Sequence, residues 1–412
     1  MSNPRADVVS EQYDRWRYPE PIADLQQWSA GNWQWFDPRY THRLLWPDRP
    51  YRPDLDILIA GCGTNQAAAF AYSNPDARVV GIDVSGAALA HEEQLKRRHQ
   101  LSNLQLELCP IEDVAALGGK FDLVVSSGVL HHLADPQAGM DALARVLRPE
   151  GALGVMLYAR YGRVGVELLQ SVFRDLGLGQ DDESLRIVKE ALATLPPGHL
   201  AQPYFGIAPD LDFDAGLVDT FLHGRERSYA VDDCLELVDR SGLVFVDWLF
   251  HAPYYPPRLV AGGQRLYRAI EALPPRQMWS VMERLRTVNA CHYFIAGPDS
   301  RAPQSYRIDF GSLASPDYVV HWRVGAGMDG DVVYRTDWRL RLRPRPSSFA
   351  RLVDGHRSVG DIAEVAEATA TPGRAGSAPE LDRSHRYARR LFEALWRLDF
   401  IEVELPAATP PG

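Results

Sequence analysis

Between residues 55 and 158 the chain alternates short apolar runs with segments long enough for a helix. The apolar runs occupy residues 55–59, 78–82, 104–108, 121–126 and 152–158. The segments between them, notably 86–99 and 137–147, have the length and spacing of helices. Strands that alternate with helices in this way form a parallel sheet with right-handed crossovers. The pattern therefore predicts an α/β fold with a doubly wound, mostly parallel sheet.

The segments outside this core have a different character. Residues 1–50 contain five tryptophans. Because such large side chains are mostly buried, we expect this segment to pack on the rest of the chain as a lid or brace. Beyond the core, residues 165–194 are helical in character, and 229–242 forms an amphipathic helix followed by a strand at 243–248. These changes divide the chain into an N-terminal segment (1–50), a core (51–165), a covering insert (166–300) and a C-terminal module (301–412).

Charge and composition narrow the possible partners and compartments. The net charge of −10 disfavours nucleic acid as a partner, because binding to phosphates needs a positive surface. The four cysteines have neither disulfide-framework nor metal spacing, so we expect reduced thiols and no metal. The sequence has no apolar run of about 18 residues, so we expect no membrane span and a cytoplasmic protein.

A glycine motif follows the first predicted strand. Gly61 and Gly63 allow a tight turn and a close backbone approach to a ligand, and Asp83 ends the next strand, where its carboxylate can bind a ribose diol. The alternative is a purely structural turn with a surface aspartate. A nicotinamide fingerprint needs a third glycine where Gln66 stands, so a pyrophosphate site is doubtful here.

Two later stretches identify a family resemblance. FDLVVSSGVLHHLADP at residues 121–136 and VLRPEGAL at 146–153 closely resemble the class I S-adenosylmethionine-dependent methyltransferases. The resemblance covers about residues 55–160. It implies a Rossmann-like domain with S-adenosyl-L-methionine as its cofactor.

The resemblance also implies which positions contact that cofactor. The turn Gly61-Cys62-Gly63 would face its methionine and ribose part, Asp83 the ribose hydroxyls, Val84 and Ile111 the adenine, Glu112 the adenine amine, and Gly128 and Val129 the sulfonium. The sequence departs from the family at one point, because Pro110 replaces the acidic residue that usually stands just before the adenine loop. The segment 12–19, which includes Tyr18, is similar to an aromatic segment that folds over the cofactor in some members; simple surface packing is the alternative.

The candidates for catalysis lie outside the cofactor motifs. Asp219 and His223 are four residues apart and would share a helical face, so that the carboxylate orients the imidazole as a general base. A plain surface pair is the competing interpretation. His131 and Tyr161 follow the fourth and fifth strands at the sheet edge where ligands bind, although such a histidine is more often structural.

The C-terminal module resembles a small winged-helix domain of α+β type, similar to peptide-binding modules, through residues 352–363 and a later helix and strand. The predicted function is methyl transfer to an O or N atom of a small-molecule acceptor. The alternatives are a peptide or protein acceptor, a non-catalytic S-adenosylmethionine-binding scaffold and, last, a nicotinamide oxidoreductase.

Overall fold

The computed structural model describes residues 12–13, 15–261, 264–370 and 377–406. The chain forms two compact units. The first contains residues 1–39, 52–245 and 283–301, and the second contains residues 40–51, 246–282 and 302–412. Each unit thus draws on separate stretches of sequence. The division into four consecutive segments stays a prediction.

The strands and helices are numbered in chain order. The strands are β1 (Asp56–Ala60), β2 (Arg78–Asp83), β3 (Leu104–Leu108), β4 (Phe121–Ser127), β5 (Leu147–Tyr158), β6 (Leu243–Trp248), β7 (Cys291–Pro298), β8 (Val319–Trp322), β9 (Gly327–Asp329), β10 (Val332–Arg335), β11 (Trp338–Arg341) and β12 (Ile401–Glu404). The helices are α1 (Leu25–Ser29), α2 (Pro38–Leu45), α3 (Gln66–Ser73), α4 (Gly86–Arg98), α5 (Pro136–Val146), α6 (Val164–Asp175), α7 (Asp182–Thr194), α8 (Gln202–Phe205), α9 (Asp214–Phe221), α10 (Val231–Arg240), α11 (Arg258–Ala261), α12 (Arg265–Glu271), α13 (Pro275–Leu285), α14 (Pro344–Ala350), α15 (Val359–Ala370) and α16 (Ala378–Trp396).

A seven-stranded sheet organises the first unit. Its order is β3-β2-β1-β4-β5-β7-β6, in which β3, β2, β1, β4 and β5 pair in parallel and β7 pairs antiparallel with β5. The centre of the sheet is apolar on both faces, since consecutive residues from Ile57 to Ala60 are all buried. The predicted Rossmann-like, mostly parallel sheet is confirmed. The order reverses at β1, so the carboxyl ends of β1 and β4 border a crevice suited to a ligand.

A helical insert follows β5. Its core contains Val166 and Phe173 of α6, Val188 of α7 and Phe221 of α9, all buried. The segment 202–214 contains the short helix α8 and a 3₁₀ turn at Pro209–Asp212. Each has a proline at its start, which favours the first turn of a helix.

The second unit contains two small antiparallel sheets, β11-β10-β9 and β12-β8, together with α14, α15 and α16. A charged centre ties its separate segments together. Asp399 accepts the backbone N–H groups of His251 and Ala252 and a hydrogen bond from Arg323, at 2.7, 3.0 and 2.8 Å. The winged-helix-like identity of this region stays a prediction. Among the described residues, no helix is both long enough and apolar enough to cross a membrane.

Candidate functional site

The turn after β1 requires glycine at two positions. Gly61 has a φ of +79°, and a Cβ placed on it would come within 2.4 Å of the Val129 side chain. Gly63 has a φ of +57°, and a Cβ there would come within 2.9 Å of Pro19. L-residues with a Cβ rarely adopt such φ values. The glycine motif therefore serves both backbone conformation and close packing.

Asp83 is held in place by the backbone of the same turn. Its two carboxylate oxygens accept the N–H groups of Gly63 and Ser85 at 2.8 and 2.9 Å. The contact with Gly63 joins the carboxyl ends of β1 and β2. The orientation that these bonds fix suits a diol approaching from the crevice.

A buried acid occupies the start of α3. Glu92 of α4 accepts the backbone N–H groups of Ala67 and Ala68 at 2.9 and 2.8 Å. Burial raises the pKa of Glu92 to about 8 and raises the pKa of the neighbouring Cys62 thiol well above its usual range. The helix N-terminus that would receive a pyrophosphate in a dinucleotide site is thus already occupied by the Glu92 carboxyl group. This arrangement disfavours a nicotinamide dinucleotide.

The predicted adenine loop and the turn after β4 line the same edge of the sheet. Ile111 is buried at the start of a 3₁₀ helix, Ile111–Leu117. In the described part of the chain, the buried Oε2 atom of Glu112 has no hydrogen-bond partner, which leaves it free to accept an adenine amine. Gly128, with a φ of +79°, is half-buried, as are Val84 and Val129. These positions fit an adenosine-containing ligand.

The N-terminal segment lies over the glycine turn. Thr64 donates a hydrogen bond from its Oγ1 to the Pro19 carbonyl at 2.8 Å, and Asn65 donates one to the Glu20 carbonyl at 3.2 Å. Tyr18 donates to Asp210 at 2.8 Å and so connects this segment to the helical insert. The residues before Gln12 lie outside those described.

One cluster of side chains contains Asp219, His223, Tyr13 and Tyr158. Asp219 and His223 belong to it, but they do not share the expected helical face. Helix α9 ends at Phe221, and the next residue has φ −119° and ψ 12°, so His223 lies beyond the helix. The hydroxyl of Tyr13 connects the two residues. It donates to Asp219 at 2.9 Å and lies 3.4 Å from the Nε2 atom of His223. Tyr158 donates to the other Asp219 oxygen at 3.3 Å.

The titration behaviour of the cluster follows from its burial. Burial, followed by the charge of Glu226, raises the pKa of Asp219 to about 7, while Tyr13, Arg163 and Tyr158 oppose the shift. Burial lowers the pKa of His132 to about 3 and lowers the pKa values of His131 and His223 well below the usual range. The three imidazoles are therefore neutral at physiological pH.

The remaining predicted catalytic residues lie at different distances from this cluster. The His131 ring is 4.0 Å from the Tyr158 ring and 4.2 Å from the His132 ring, centroid to centroid. Neither of its ring nitrogens has a hydrogen-bond partner among the described residues. Tyr161, half-buried at the start of the 3₁₀ turn Tyr161–Arg163, makes no hydrogen bond or ring contact with the cluster in the part of the chain that is described.

A buried ion pair supports the cluster from the side of α6. Arg163 donates two hydrogen bonds to Glu226, at 2.9 and 3.1 Å, and one to the Tyr204 hydroxyl at 2.7 Å. Its guanidinium also lies 3.7 Å from the centroid of the Tyr158 ring. A buried charge needs such a partner, and the Glu226 carboxylate supplies it by accepting from Nη2 with both of its oxygens.

Glu226 and Glu92 had no predicted role, and Tyr13 was predicted only as part of the covering segment 12–19. The signal for Glu92 was present, because it recurs with Ala88 and Leu95 on the buried face of α4, where an acid is unexpected. Tyr13 precedes the strands of the sheet in the sequence, whereas Glu226 follows β5. No local pattern indicates such a meeting.

Comparisons with known proteins agree with the geometry. A family model described as a methyltransferase domain matches residues 58–153. The trans-aconitate 2-methyltransferase of Deinococcus radiodurans is 37% identical over 128 residues, which are 31% of this chain and 46% of that protein. The tRNA 5-carboxymethoxyuridine methyltransferase of Escherichia coli K12 is 30% identical over 164 residues, 39% of this chain and 59% of that protein. The matches thus span about half the length of these relatives.

A solved structure resembles a larger part of the chain. PKMT2 from Rickettsia typhi, in complex with AdoHcy, aligns with a TM-score of 0.64 and 13% identity and covers 90% of this chain and 75% of its own. At this identity the likeness concerns the fold alone. It extends well beyond the segment that the family model matches.

Proposed function

Because the chain belongs to the class I S-adenosylmethionine-dependent methyltransferases, we propose that it transfers the cofactor's methyl group to an oxygen or nitrogen atom of a small-molecule acceptor. The cofactor supplies a methyl group that its positive sulfonium already activates. The protein must then hold the two reactants in line, exclude water and, for a hydroxyl or amine acceptor, accept a proton.

Each part of the crevice has a proposed role in holding the cofactor. Asp83 binds the ribose hydroxyls, with its carboxylate oriented by the Gly63 N–H. Glu112 accepts the adenine amine through its unpartnered Oε2 atom. The backbone at Gly61, Cys62 and Gly63 approaches the methionine part, Val84 and Ile111 pack on the adenine, Gly128 and Val129 border the sulfonium, and Tyr18 covers the turn.

The observation that carries the acceptor proposal is the enclosed cluster around Asp219. Asp219 is 1% exposed, and its carboxylate lies among Tyr13, Tyr158 and neutral imidazoles. A buried group of aromatic rings with a few polar atoms suits recognition of a small molecule. Asp219 and His223 are the proposed catalytic residues, with His131 and Tyr161 as further candidates.

Two alternative functions stand beside the small-molecule methyltransferase. A peptide or protein acceptor is the second candidate, prompted by the C-terminal region. The name of one relative identifies it as a tRNA methyltransferase, but the net charge of −10 of this chain disfavours binding to the phosphates of tRNA. A scaffold that binds the cofactor without turnover is the third candidate, from a different class.

The test is methyl transfer by the full-length protein from labelled S-adenosylmethionine. Separate reactions contain a small-molecule extract, a peptide mixture and a tRNA preparation, and S-adenosylhomocysteine formation is followed together with the mass of the product. We expect label in the small-molecule fraction. Label only in peptide or tRNA would contradict the proposal, and tight cofactor binding without transfer to any fraction would identify a scaffold.

A further inference from the structure

The Asp219 carboxylate is a buried acid without a cationic partner. It accepts hydrogen bonds from Tyr13 and Tyr158, but no lysine, arginine or histidine lies within ion-pair distance of it in the described parts of the chain. An ionised carboxylate without a counter-charge is costly to bury. Either a proton or a bound cation therefore compensates its charge.

The surroundings of Asp219 favour a bound cation. The Tyr13 ring lies 6.5 Å from the Tyr18 ring and 5.9 Å from the His223 ring, centroid to centroid. Aromatic faces carry negative partial charge and attract ammonium groups. Since burial also keeps the pKa of His223 well below its usual range, no positive imidazole opposes a cation there.

The same surroundings do not favour an anionic acceptor. A carboxylate substrate needs a cation. The buried guanidinium of Arg163 near the cluster is already paired with Glu226, because its Nη2 atom donates to both carboxylate oxygens at 2.9 and 3.1 Å. Glu226 also adds negative potential at Asp219, because its charge is the next cause of the raised Asp219 pKa after burial.

A metal ion is the other cation to consider, since ligand atoms of His132, Asp219 and His223 lie within 4.8 Å of one another. The hydrogen bonds of Arg225 argue against it. The Arg225 backbone N–H donates to Nδ1 of His223 at 3.0 Å, so the neutral ring carries its proton on Nε2 and offers no lone pair there. His132 has the opposite tautomer, with Nδ1 donating to the Arg225 carbonyl at 3.0 Å, so its Nε2 atom keeps a lone pair. Of the three residues, only His132 and Asp219 therefore offer a ligand atom.

We propose that the acceptor is an amine, which binds as its ammonium ion against the Asp219 carboxylate, with the rings of Tyr13 and Tyr18 beside it. This inference rests on the proposed function and names the acceptor atom. The ammonium gives one proton to a carboxylate oxygen of Asp219. The freed nitrogen lone pair then forms the N–CH₃ bond while the C–S bond breaks and its electron pair stays on sulfur.

The titration of Asp219 supports this proton transfer. Its pKa, raised to about 7, is close to the working pH that a general base needs. The groups that face it are Tyr13 and Tyr18 from the N-terminal segment, Tyr158 from β5, Arg163 and Glu226 from the buried ion pair, and the neutral His132 and His223. Below pH 7 the protonated carboxyl group neither attracts the ammonium nor accepts its proton, so the rate of transfer should fall.

The experiment compares acceptors of matched size on the full-length protein. Primary and secondary alkyl and aryl amines, the corresponding alcohols and phenols, and the corresponding carboxylic acids are incubated with labelled S-adenosylmethionine, and product mass identifies the methylated atom. Asp219→Asn is compared with Asp214→Asn, which makes the same change at the exposed start of α9. Calorimetry with S-adenosylhomocysteine measures cofactor binding by each protein.

We expect transfer to amines only, a rate loss of roughly 100-fold in Asp219→Asn, no loss in Asp214→Asn and unchanged cofactor affinity in both. In the wild type, the corresponding tetraalkylammonium ions should inhibit transfer in competition with the amine acceptor. This measurement does not depend on the folding of any variant. Transfer to alcohols or carboxylates alone would overturn the amine assignment and leave the proposed function intact. A stoichiometric bound metal whose removal abolishes transfer would also overturn it. Cofactor binding without transfer to any acceptor would remove both proposals.

Discussion

The Tyr13 hydroxyl donates a 2.9 Å hydrogen bond to the Asp219 carboxylate across 206 positions of sequence. The bond connects the segment that covers the glycine turn to the helical insert that follows β5. The negative charge of Asp83 contributes to the raised pKa of Tyr13, after burial and the effects of Asp219 and Tyr158, so the ring also lies within electrostatic range of the predicted ribose site. Tyr13 thus stands between the cofactor residues and the candidate acceptor residues.

Removing this hydroxyl should affect transfer more than cofactor binding. Tyr13→Phe keeps the ring but deletes the contacts with Asp219 and His223, and His223→Ala removes the imidazole on the far side of the same bridge. We expect kcat to fall in both variants with little change in the Kd for S-adenosylhomocysteine. Steady-state kinetics and calorimetry measure the two quantities. Full activity of His223→Ala would return this histidine to a structural role.

Asp83→Ala should weaken cofactor binding by about 1.5–3 kcal/mol, the usual value for hydrogen bonds to a charged group. The variant also removes the acceptor that holds the Gly63 N–H. Calorimetry with S-adenosylhomocysteine measures the loss, and Asp76→Ala, an exposed position before β2, is the matched control. An unchanged Kd in a folded Asp83→Ala protein would refute the ribose assignment.

Gly61→Ala should destabilise the core of the first unit. The left-handed φ of +79° costs an L-residue about 1–2 kcal/mol, and the new methyl would press on Val129. Gly86→Ala is the control, because a Cβ at that position meets no atom within 4 Å. Thermal unfolding should show a lower Tm for Gly61→Ala alone. Equal Tm values for the two variants would contradict the close packing.

Glu92 should make stability depend on pH. Its pKa is about 8 in the folded protein, above the usual 4.5, so the folded state holds the proton more tightly and loses stability as pH rises from about 4.5 through 8. The maximum slope is about 1.4 kcal/mol per pH unit. Glu92→Gln cannot ionise, and its stability should decline less over this range. Parallel curves of unfolding free energy against pH would refute the shift.

His251 should produce a similar loss at higher pH, in the second unit. Asp247 and Asp399 outweigh the effect of burial and raise the pKa of His251 to about 9. A raised pKa contributes stability that is complete below about 6.5 and disappears as pH rises through 9. In His251→Gln, the unfolding free energy measured by chemical denaturation should vary less with pH between these values. In His356→Gln, which lies outside this cluster, the dependence on pH should be unchanged. An unaltered slope in His251→Gln would disprove the assignment.

Much of the first unit could be predicted from local patterns. The five parallel strands were placed to within a few residues, except that β5 begins at Leu147 and not near Ala152. Runs of buried apolar residues identify such strands because both faces of a parallel sheet are covered. The predicted fold, family and cofactor are confirmed as well. They could be predicted because the GxG turn and the residues after β4 are contiguous stretches of sequence.

The acceptor side depended on the tertiary structure. Sequence spacing suggested that Asp219 and His223 share a helix face, but α9 ends between them and Tyr13 makes the connection. The raised pKa of Asp219 and the neutral histidines arise from burial by segments far apart in the chain. Local sequence determines turns and strands because their hydrogen bonds and φ values involve near neighbours. It does not determine which distant side chains share a desolvated space, because packing of the whole unit decides that.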